Sequence, residues 1–383
     1  MKVTQISIGR FHHFHLARQM EKHGLLDKIY TGYPRFKLKD ENGISHNKII
    51  CFPWLHTPYM KRGLLKLDKW SWLNKQWEWM DHESLDKYVA SKIKEPTVLV
   101  ALSGCGLHSA NKVKKHGGIY ICDRGSSHIR YQNEILTEEY ARWGLKFTGI
   151  DSRIIEKEEV EYQLADIITV PSEFVRKSFI DKGVSEEKIV KIPYGARLDR
   201  FKKTGEPDND VFKVLWVGGV SIRKGFFYAL EAFQKLQHPN KEFIVIGSVS
   251  DEISKLISGF NLKDVTVKGV VPNTELVHFY STSHIFILSS LEEGLAMVQG
   301  EAMACGCPVI ASTNTGAADL FTDGVEGFIV PIRSVELLAQ RMQELADNEP
   351  MRKQMSAAAL LRVQSLGGWD KYGDEFASLV RSF

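Results

Sequence analysis

Short apolar runs and amphipathic stretches alternate along almost the whole chain. The apolar runs are rich in β-branched residues and end at glycine, serine or proline, a pattern typical of strands buried in a parallel sheet. The stretches between them have the composition of helices. The alternation predicts an α/β fold with doubly wound sheets. The clearest predicted strands are Lys2–Ile8, Thr97–Leu102, Ile119–Cys122, Ala165–Ser172, Lys188–Pro193, Phe212–Val217, Phe243–Gly247, Val265–Val270, Ile285–Leu288, Val309–Ser312 and Phe328–Val330.

A polar segment interrupts this alternation near the middle of the chain. Residues Lys202–Asp210, with the sequence KKTGEPDND, lack an apolar run and contain glycine and proline, as linkers do. The chain of 383 residues is long enough for two cores. We therefore predict a first domain at residues 1–201, a linker at 202–210 and a second domain at 211–368.

The segment Ile285–Pro308 has the strongest motif. A strand, Ile285–Leu288, leads through a glutamate pair and Gly294 into a predicted helix, Leu295–Ala304. Backbone N–H groups and the helix dipole at such a junction favour a phosphate group. Glu293 and Glu301 have seven residues between them, which is about two helical turns or roughly 12 Å. That distance suits the sugar and the ribose of one nucleotide sugar.

A second glycine-rich turn follows the strand Phe212–Val217. It contains Gly218, Gly219, Arg223 and Lys224, and a predicted helix comes after it. Glycines allow the backbone to approach a ligand closely, and the two cations neutralise a diphosphate. A tight turn with a solvated basic pair is the simpler interpretation. The sequence therefore offers a candidate phosphate site in this turn.

The first domain has its candidates at strand ends, where open α/β sheets bind ligands. Gly9 ends the first strand, and His12, His13 and His15 crowd the start of the helix that follows. Asp123 and His128 come directly after another strand. A polar loop histidine without a function remains the alternative for His128.

The run EEGLAMVQGEAMACGCPVIAS, with Thr315-Gly316 and EGFIVP after it, closely resembles the donor-site signature of the family 4 glycosyltransferases. The resemblance covers most of Ala165–Pro331 and implies a GT-B fold, in which two Rossmann-like domains face each other across a cleft. It also implies that 369–383 cross back to the first domain. The implied activity is a retaining, metal-independent transfer of a sugar from a UDP- or GDP-sugar to a glycan or lipid-linked acceptor, without a further cofactor.

The resemblance assigns roles to specific residues. It implies that Glu293, Arg223, Lys224 and His128 are catalytic, and that residues on the acceptor side are Gly9, Arg10, His15 and Asp123. It places the donor on Gly218, Gly219, Gly269, Gly294, Leu295 and Glu301. Envelope polysaccharide or lipopolysaccharide synthesis is the implied setting. A sugar-nucleotide 2-epimerase or a phosphorylase shares the architecture and remains an alternative.

Composition limits the possible classes of partner. A net charge of +3 is too small to indicate nucleic-acid binding. The five scattered cysteines form no CxxC pair, so we expect free thiols, a cytoplasmic location and no metal site. We find no apolar stretch of transmembrane length and no signal-peptide core at the N-terminus.

The segment Cys51–Met80 is unusual because it holds five of the eight tryptophans. They alternate with basic residues, as on surfaces that lie at the headgroups of a membrane. Packing against the first domain is an equally good interpretation, and a non-enzymatic membrane-binding module is a further alternative. The tryptophans are Trp54, Trp70, Trp72, Trp77 and Trp79, and the basic residues are Lys61, Arg62, Lys66, Lys69 and Lys75.

Overall fold

The computed structural model describes residues 1–65, 67, 70–195 and 200–383. It has two parallel sheets, each with helices on both faces, and a cleft between them. The predicted fold class is therefore confirmed. Strands of the first sheet lie within residues 3–191 and strands of the second within residues 212–330. The exact domain boundaries stay a prediction.

The first sheet has seven strands in the order β3-β2-β1-β4-β5-β6-β7. The chain order therefore reverses between β1 and β4, the position at which such sheets bind ligands. The strands are β1 (Val3–Ser7), β2 (Leu26–Thr31), β3 (Ile49–Cys51), β4 (Val98–Leu102), β5 (Ile119–Asp123), β6 (Ile167–Val170) and β7 (Ile189–Lys191).

The second sheet has six strands in the order β10-β9-β8-β11-β12-β13. The corresponding reversal lies between β8 and β11, whose following loops contain the two predicted phosphate motifs. The strands are β8 (Phe212–Val217), β9 (Lys241–Ile246), β10 (Val265–Gly269), β11 (Ile285–Leu288), β12 (Val309–Ser312) and β13 (Gly327–Val330).

The helices cover both faces of the sheets and bury apolar side chains between the layers. In the second domain, Trp216 and Phe243 on the strands pack against Phe226 and Phe233 of a helix, and all four are buried. The helices are α1 (His13–Lys22), α2 (His56–Met60), α3 (Ser71–Lys92), α4 (Leu107–Lys115), α5 (Ile129–Arg142), α6 (Ser152–Leu164), α7 (Glu173–Ile180), α8 (Phe226–Lys235), α9 (Asp251–Ile257), α10 (Asn273–Ser281), α11 (Met297–Ala304), α12 (Ala317–Leu320), α13 (Val335–Asp347), α14 (Glu349–Ser365) and α15 (Gly368–Arg381).

The last helix returns to the first domain. Tyr372 and Phe376 of α15 are buried in one cluster with Phe14 and Met20 of α1. The returning chain passes Gly195, where a side-chain carbon would lie only 2.2 Å from the carbonyl carbon of Gly368. The two domains are thus joined at a point of direct backbone contact.

The tryptophan-rich segment divides into two groups. Trp54, Trp70 and Trp72 are 69–74% exposed, whereas Trp77 and Trp79 are partly buried. Trp79 packs near the guanidinium of Arg153, at 5.1 Å from its ring centre. The prediction of packing against the first domain therefore holds for Trp77 and Trp79, and membrane contact by the exposed tryptophans stays a prediction. Lys66 and Lys69 lie outside the described residues.

The five cysteines all carry free thiols, and four of them are buried. Among the described residues, none of the helices combines the length and the apolar character that crossing a bilayer requires.

Candidate functional site

A cavity of about 650 Å³ lies between the two domains. Phe11, His12 and His15 line it from the first domain, after the end of β1, and Leu295 and Glu301 line it from the second. The carboxyl ends of strands from both sheets meet here. Since ligands of open α/β sheets bind at strand ends, this cavity is the candidate site. Its other lining residues are Tyr194, Arg200, Phe201, Asn273, Thr274, Val277, Met297 and Trp369.

Asp123 forms a close polar contact with His12, which lines the cavity. Asp123 is the last residue of β5, and its Oδ2 lies 2.5 Å from Nε2 of His12. Thr169 donates its hydroxyl to Oδ1 at 2.8 Å, and His13 Nε2 lies 3.1 Å from Oδ2. Burial alone would raise the pKa of Asp123, but the two histidines hold it well below its usual range. Asp123 is therefore an ionised, buried group behind His12.

Aromatic rings cover the cavity on the side of the first domain. The His12 ring stacks on Tyr194, with ring centres 4.4 Å apart. The predicted acceptor-side residue His15 stacks on Trp369, at 3.9 Å and nearly parallel. Because Trp369 belongs to α15, the returning helix contributes directly to the cavity.

Gly9 and Arg10 lie at the edge of this region. The Phe11 ring folds over Gly9, where an added side-chain carbon would lie 2.5 Å from the ring. Arg10 pairs with Glu41 at 3.1 Å and is about half exposed. Neither residue lines the cavity, so their predicted acceptor-side role stays a prediction.

The basic pair after β8 meets the glutamate pair after β11. Lys224 contacts the carboxylate of Glu293. Arg223 Nε lies 3.0 Å from Oε2 of Glu292 and also donates to its carbonyl oxygen. Three of the predicted site residues, Arg223, Lys224 and Glu293, are thus in one cluster. Two cations held by two carboxylates form a site at which an incoming diphosphate would compete for the cations.

The predicted start of the helix is wrong by two residues. α11 begins at Met297, and Glu293, Gly294 and Leu295 form a loop in front of it. Glu293 donates its backbone N–H to Asn314 O at 2.9 Å, and Ala296 donates to Thr315 O at 3.1 Å. These bonds to a neighbouring loop keep the segment out of the helix. Glu293 and Glu301 therefore do not share a helix, and the two-turn estimate of their separation does not apply.

Gly294 serves the contact between the domains. Its carbonyl oxygen accepts the Ser172 hydroxyl at 2.6 Å, and a side-chain carbon on Gly294 would lie 1.8 Å from Gly125 O. Both partners belong to the first domain. Glycine is required because two backbones touch here. These contacts use the carbonyl oxygen and the Cα position of Gly294, and its predicted role in binding the donor phosphate stays a prediction.

Glu301 is the other glutamate of the motif, and it lies on α11 in the cavity wall. Tyr280 donates its hydroxyl to Glu301 Oε2 at 3.2 Å. The hydrogen bond from Tyr280 therefore helps to orient this carboxylate. Glu301 lines the cavity together with Leu295. Gly218 directly follows β8 and Gly269 ends β10; both have a positive φ and open space where a side chain would be. Gly219 follows Gly218 in the same turn, and its predicted donor role, like theirs, stays a prediction.

His128 is not among the residues that line the cavity. It caps the N-terminus of α5, where its Nδ1 accepts the Arg130 N–H at 3.2 Å. The ring packs between Tyr162 and Phe179, each 5.0 Å away. Burial lowers the pKa of His128 to about 4, so it is neutral near pH 7. The geometry therefore indicates a structural cap rather than the predicted contact with the sugar.

Glu292 is the main residue that sequence reasoning missed. It is fully buried and accepts the backbone N–H and the hydroxyl of Ser127 at 2.8 Å each. Gln132 donates to its other oxygen at 2.9 Å. Burial alone would raise the pKa of Glu292. The pKa is nevertheless lowered, because the charge of Arg223 and the hydrogen bonds from Ser127 outweigh that effect. The adjacent glutamates Glu292 and Glu293 were the available signal in the sequence. The resemblance, however, implied a role for Glu293 only.

One group of side chains has the composition of a metal site. In the described part of the chain, His12, His13 and Asp123 offer ligand atoms within 4.8 Å of one another. Two ligands of one ion, bonded at about 2.1 Å, are separated by ~3 Å or more. His12 and Asp123 are closer than that, at 2.5 Å. The geometry is that of a hydrogen-bonded pair rather than of a metal centre.

Comparison with known proteins places this site in context. Residues 198–362 match the family model of the glycosyl transferases group 1. The chain is similar to the capsular polysaccharide biosynthesis glycosyltransferase CapM of Staphylococcus aureus, at 26% identity over 237 residues, or 57% of this chain and 62% of CapM. It is also similar to the lipopolysaccharide 1,2-N-acetylglucosaminetransferase of Salmonella typhimurium, at 25% identity over 56% of this chain and 62% of that protein.

These alignments are partial, and the chain spans about three fifths of the length of both relatives. Among solved structures, Anabaena HepE in complex with UDP and glucose is similar over 100% of both chains, with a TM-score of 0.72 and 16% identity. At that identity the likeness shows the shared GT-B fold alone.

Proposed function

We propose that the chain is a glycosyltransferase that moves a sugar from a nucleoside-diphosphate sugar to a glycan or lipid-linked acceptor. Capsular polysaccharide or lipopolysaccharide synthesis is the proposed setting, because the names of the two relatives refer to these polymers. The observation that carries the proposal is the cluster of Arg223 and Lys224 with Glu293, which lies two residues before the cavity-lining Leu295.

In the proposed complex, the diphosphate of the donor displaces the carboxylates from Arg223 and Lys224. The two cations then stabilise the negative charge that develops on the leaving group. Glu293, released from Lys224, accepts hydrogen bonds from sugar hydroxyls, and Glu301 accepts them from the ribose. Carboxylates suit vicinal hydroxyls because both of their oxygens are acceptors.

We further propose that transfer retains the configuration at the sugar carbon and needs no metal ion. The cationic pair supplies the positive charge that a divalent ion would otherwise bring to a diphosphate. For the donor we propose a UDP- or GDP-sugar. The solved HepE complex with UDP and glucose favours testing uridine first.

We propose that the first domain contacts the cytoplasmic face of a membrane through exposed aromatic and apolar side chains, namely those of Phe36, Trp54, Met60, Leu64, Trp70 and Trp72. These side chains are 56–81% exposed. Phe36 and Trp54 line a shallow groove together with Arg35 and Lys39. Exposed aromatic and apolar side chains beside cations match the headgroup region of the anionic cytoplasmic leaflet.

The proposal is tested by thermal shift with uridine, guanosine and adenosine diphosphates, followed by release of the diphosphate from a panel of nucleotide sugars. We expect one diphosphate to raise the melting temperature and its sugar conjugates to be cleaved with or without EDTA. Product NMR then reports the anomeric configuration. Absence of both a shift and cleavage across the panel would refute the assignment.

A further inference from the structure

A second cavity, of about 500 Å³, lies on the opposite edge of the second sheet from the candidate donor site. His284 and Pro308 line it, and they come directly before β11 and β12, so the cavity lies at the amino ends of these strands. The donor cavity lies beyond their carboxyl ends. We propose that the second cavity binds the phosphate group of a small molecule. The site is separate from the donor cavity, so it does not depend on the proposed function.

The charges that line this cavity do not balance. Lys203, Arg352 and Lys353 are its cations, and Glu206 and Glu349 are its carboxylates. Each carboxylate already pairs with a lysine at 2.6 Å, Glu206 with Lys203 and Glu349 with Lys353. Among the described residues, Arg352 has no ion-pair partner. The cavity therefore has one cation that remains available to an anionic ligand.

The guanidinium of Arg352 is held in place and still has donors to offer. Its Nη1 donates to the carbonyl oxygen of Leu345, and its central carbon lies 5.5 Å from the centre of the Phe212 ring. Nε and Nη2, which form one edge of the group, have no hydrogen-bond partner in the described part of the chain. Burial lowers the pKa of Arg352, and the charge of Glu349 offsets this only in part. A planar edge with two N–H donors fits two oxygens of a phosphate.

His284 supplies an independent donor. The residue is 4% exposed, and its Nδ1 accepts the backbone N–H of Lys213 at 3.0 Å. Burial, together with the charge of Arg352, lowers the pKa of His284 to about 4, so the ring is neutral near pH 7. The hydrogen of the neutral ring must then lie on Nε2. Within the described ranges this N–H has no partner, and a nearly buried donor of this kind requires an acceptor, which a ligand in the cavity provides.

The size and the remaining lining of the cavity favour a phosphorylated small molecule. Its volume falls within the range of small-molecule sites, about 300–1,000 Å³. Pro207, Pro308 and Leu360 supply apolar walls. The hydroxyl of Ser356 donates to Gly306 O at 2.6 Å, so its oxygen can accept a hydrogen bond from a ligand. The cavity can therefore hold a body the size of a sugar beside the phosphate.

The test observes His284 directly by NMR. Protein labelled with nitrogen-15 in its histidines is titrated at pH 7 and constant ionic strength with inorganic phosphate, glucose 6-phosphate or glucose. The Nε2 resonance of His284, assigned by its absence from His284→Gln, should shift saturably with the phosphate compounds and stay unchanged with glucose. Tighter binding of glucose 6-phosphate than of inorganic phosphate identifies a phosphate ester as the ligand, and the reverse identifies free phosphate. A resonance that neither phosphate compound moves, or that glucose moves equally, overturns the proposal.

Two variants in α14 test whether binding occurs in this cavity. Arg352→Gln should raise the dissociation constant about 10–100-fold, because the charge-assisted hydrogen bonds to phosphate are lost. Ala357→Glu adds a negative charge to the cavity wall and should also weaken binding. Gln354→Glu is its matched control, because it adds the same charge to an exposed position of the same helix that does not line the cavity. Equal affinities of Ala357→Glu and Gln354→Glu overturn the proposal.

A last variant separates this cavity from the donor site. Lys224→Ala, which removes a cation from the proposed donor site, should keep the wild-type affinity for inorganic phosphate and glucose 6-phosphate. Loss of phosphate binding in Lys224→Ala would show that the phosphate binds in the donor site, and the second site would fall while the proposed function stood.

Discussion

Ser127 donates both its backbone N–H and its hydroxyl to one oxygen of Glu292, at 2.8 Å each, across the junction of the two domains. Arg223 Nε lies 3.0 Å from the other oxygen. A fully buried carboxylate is thereby satisfied from both domains at once. The same glutamate holds Arg223 in the position from which it is proposed to meet the donor.

Removal of this carboxylate should destabilise the protein. For Glu292→Ala we expect a loss of ~3 kcal/mol in the free energy of unfolding, because Arg223 and Ser127 lose a buried partner. Urea denaturation measures it, with Glu336→Ala as the control, since Glu336 forms an exposed pair with Lys235. Equal stability of the two variants would show that the contact between the domains does not depend on Glu292.

Lys224→Ala should lower kcat for transfer or donor hydrolysis by about 10²–10³-fold, through loss of one charge that stabilises the leaving diphosphate. Lys235→Ala, on the surface of the same domain, is the matched control and should keep the wild-type rate. Turnover near normal in Lys224→Ala would remove this lysine from the site.

Glu301→Ala should weaken donor binding. A hydrogen bond to a charged group contributes about 1.5–3 kcal/mol, so the dissociation constant of the diphosphate should rise by roughly 10–100-fold. Isothermal titration calorimetry with UDP or GDP measures this, and Glu336→Ala again serves as the control. An unchanged affinity would contradict the ribose contact.

His128→Asn separates the capping role from a catalytic one. Asparagine is an equally good helix cap, so the variant should fold and keep most of the wild-type activity at pH 7. A large loss of activity with an unchanged melting temperature would restore His128 to the active site.

The same variant should change the pH dependence of stability. The folded-state pKa of His128 is about 4, below the usual histidine pKa of about 6.5, so only the unfolded state gains a proton as the pH falls between these values. Stability is therefore lost on acidification from pH 6.5 to 4, by at most ~1.4 kcal/mol per pH unit for each such histidine. His128→Asn should show a shallower decline, measured by urea denaturation at several pH values. Part of the decline in stability should remain in this variant, because burial also lowers the pKa values of His82 and His284 to about 4.

Membrane contact should require the exposed tryptophans and not the partly buried ones. We expect the triple variant of Trp54, Trp70 and Trp72 to serine to lose binding to vesicles that contain phosphatidylserine, while its melting temperature stays the same. Trp77→Ser is the control: its ring is partly buried, 6.3 Å from that of Tyr59, so it should lower stability rather than vesicle binding. Vesicle binding by the triple variant at the wild-type level would refute the proposed surface.

The sequence predicted the sheet positions better than the site. β8 and β11 have the predicted bounds, because continuous apolar runs become strands wherever both faces are covered. β2 and β3 were missed: β2 carries Asp27 and Lys28 within its run, and β3 has only three residues. Strands near the edge of a sheet give weaker patterns because they are less completely buried.

The errors at the site share one cause. The segment before α11 is extended because Asn314 and Thr315, from another loop, supply its hydrogen bonds. Similarly, His12 meets Asp123 although the two residues are 111 positions apart in the sequence. Local sequence reports propensity and spacing, whereas these choices depend on contacts between segments that are distant in the chain.

The backbone contact between Gly195 and Gly368 has a mechanical consequence. Both connections between the domains pass near a single point, so that point can serve as a pivot. Two domains connected at one point can rotate about it and so widen the cleft away from that point, but they cannot separate at the point itself. A methyl group at Gly195 would clash with the backbone of Gly368 and Trp369, and it would therefore force a change in the angle between the two domains at this point.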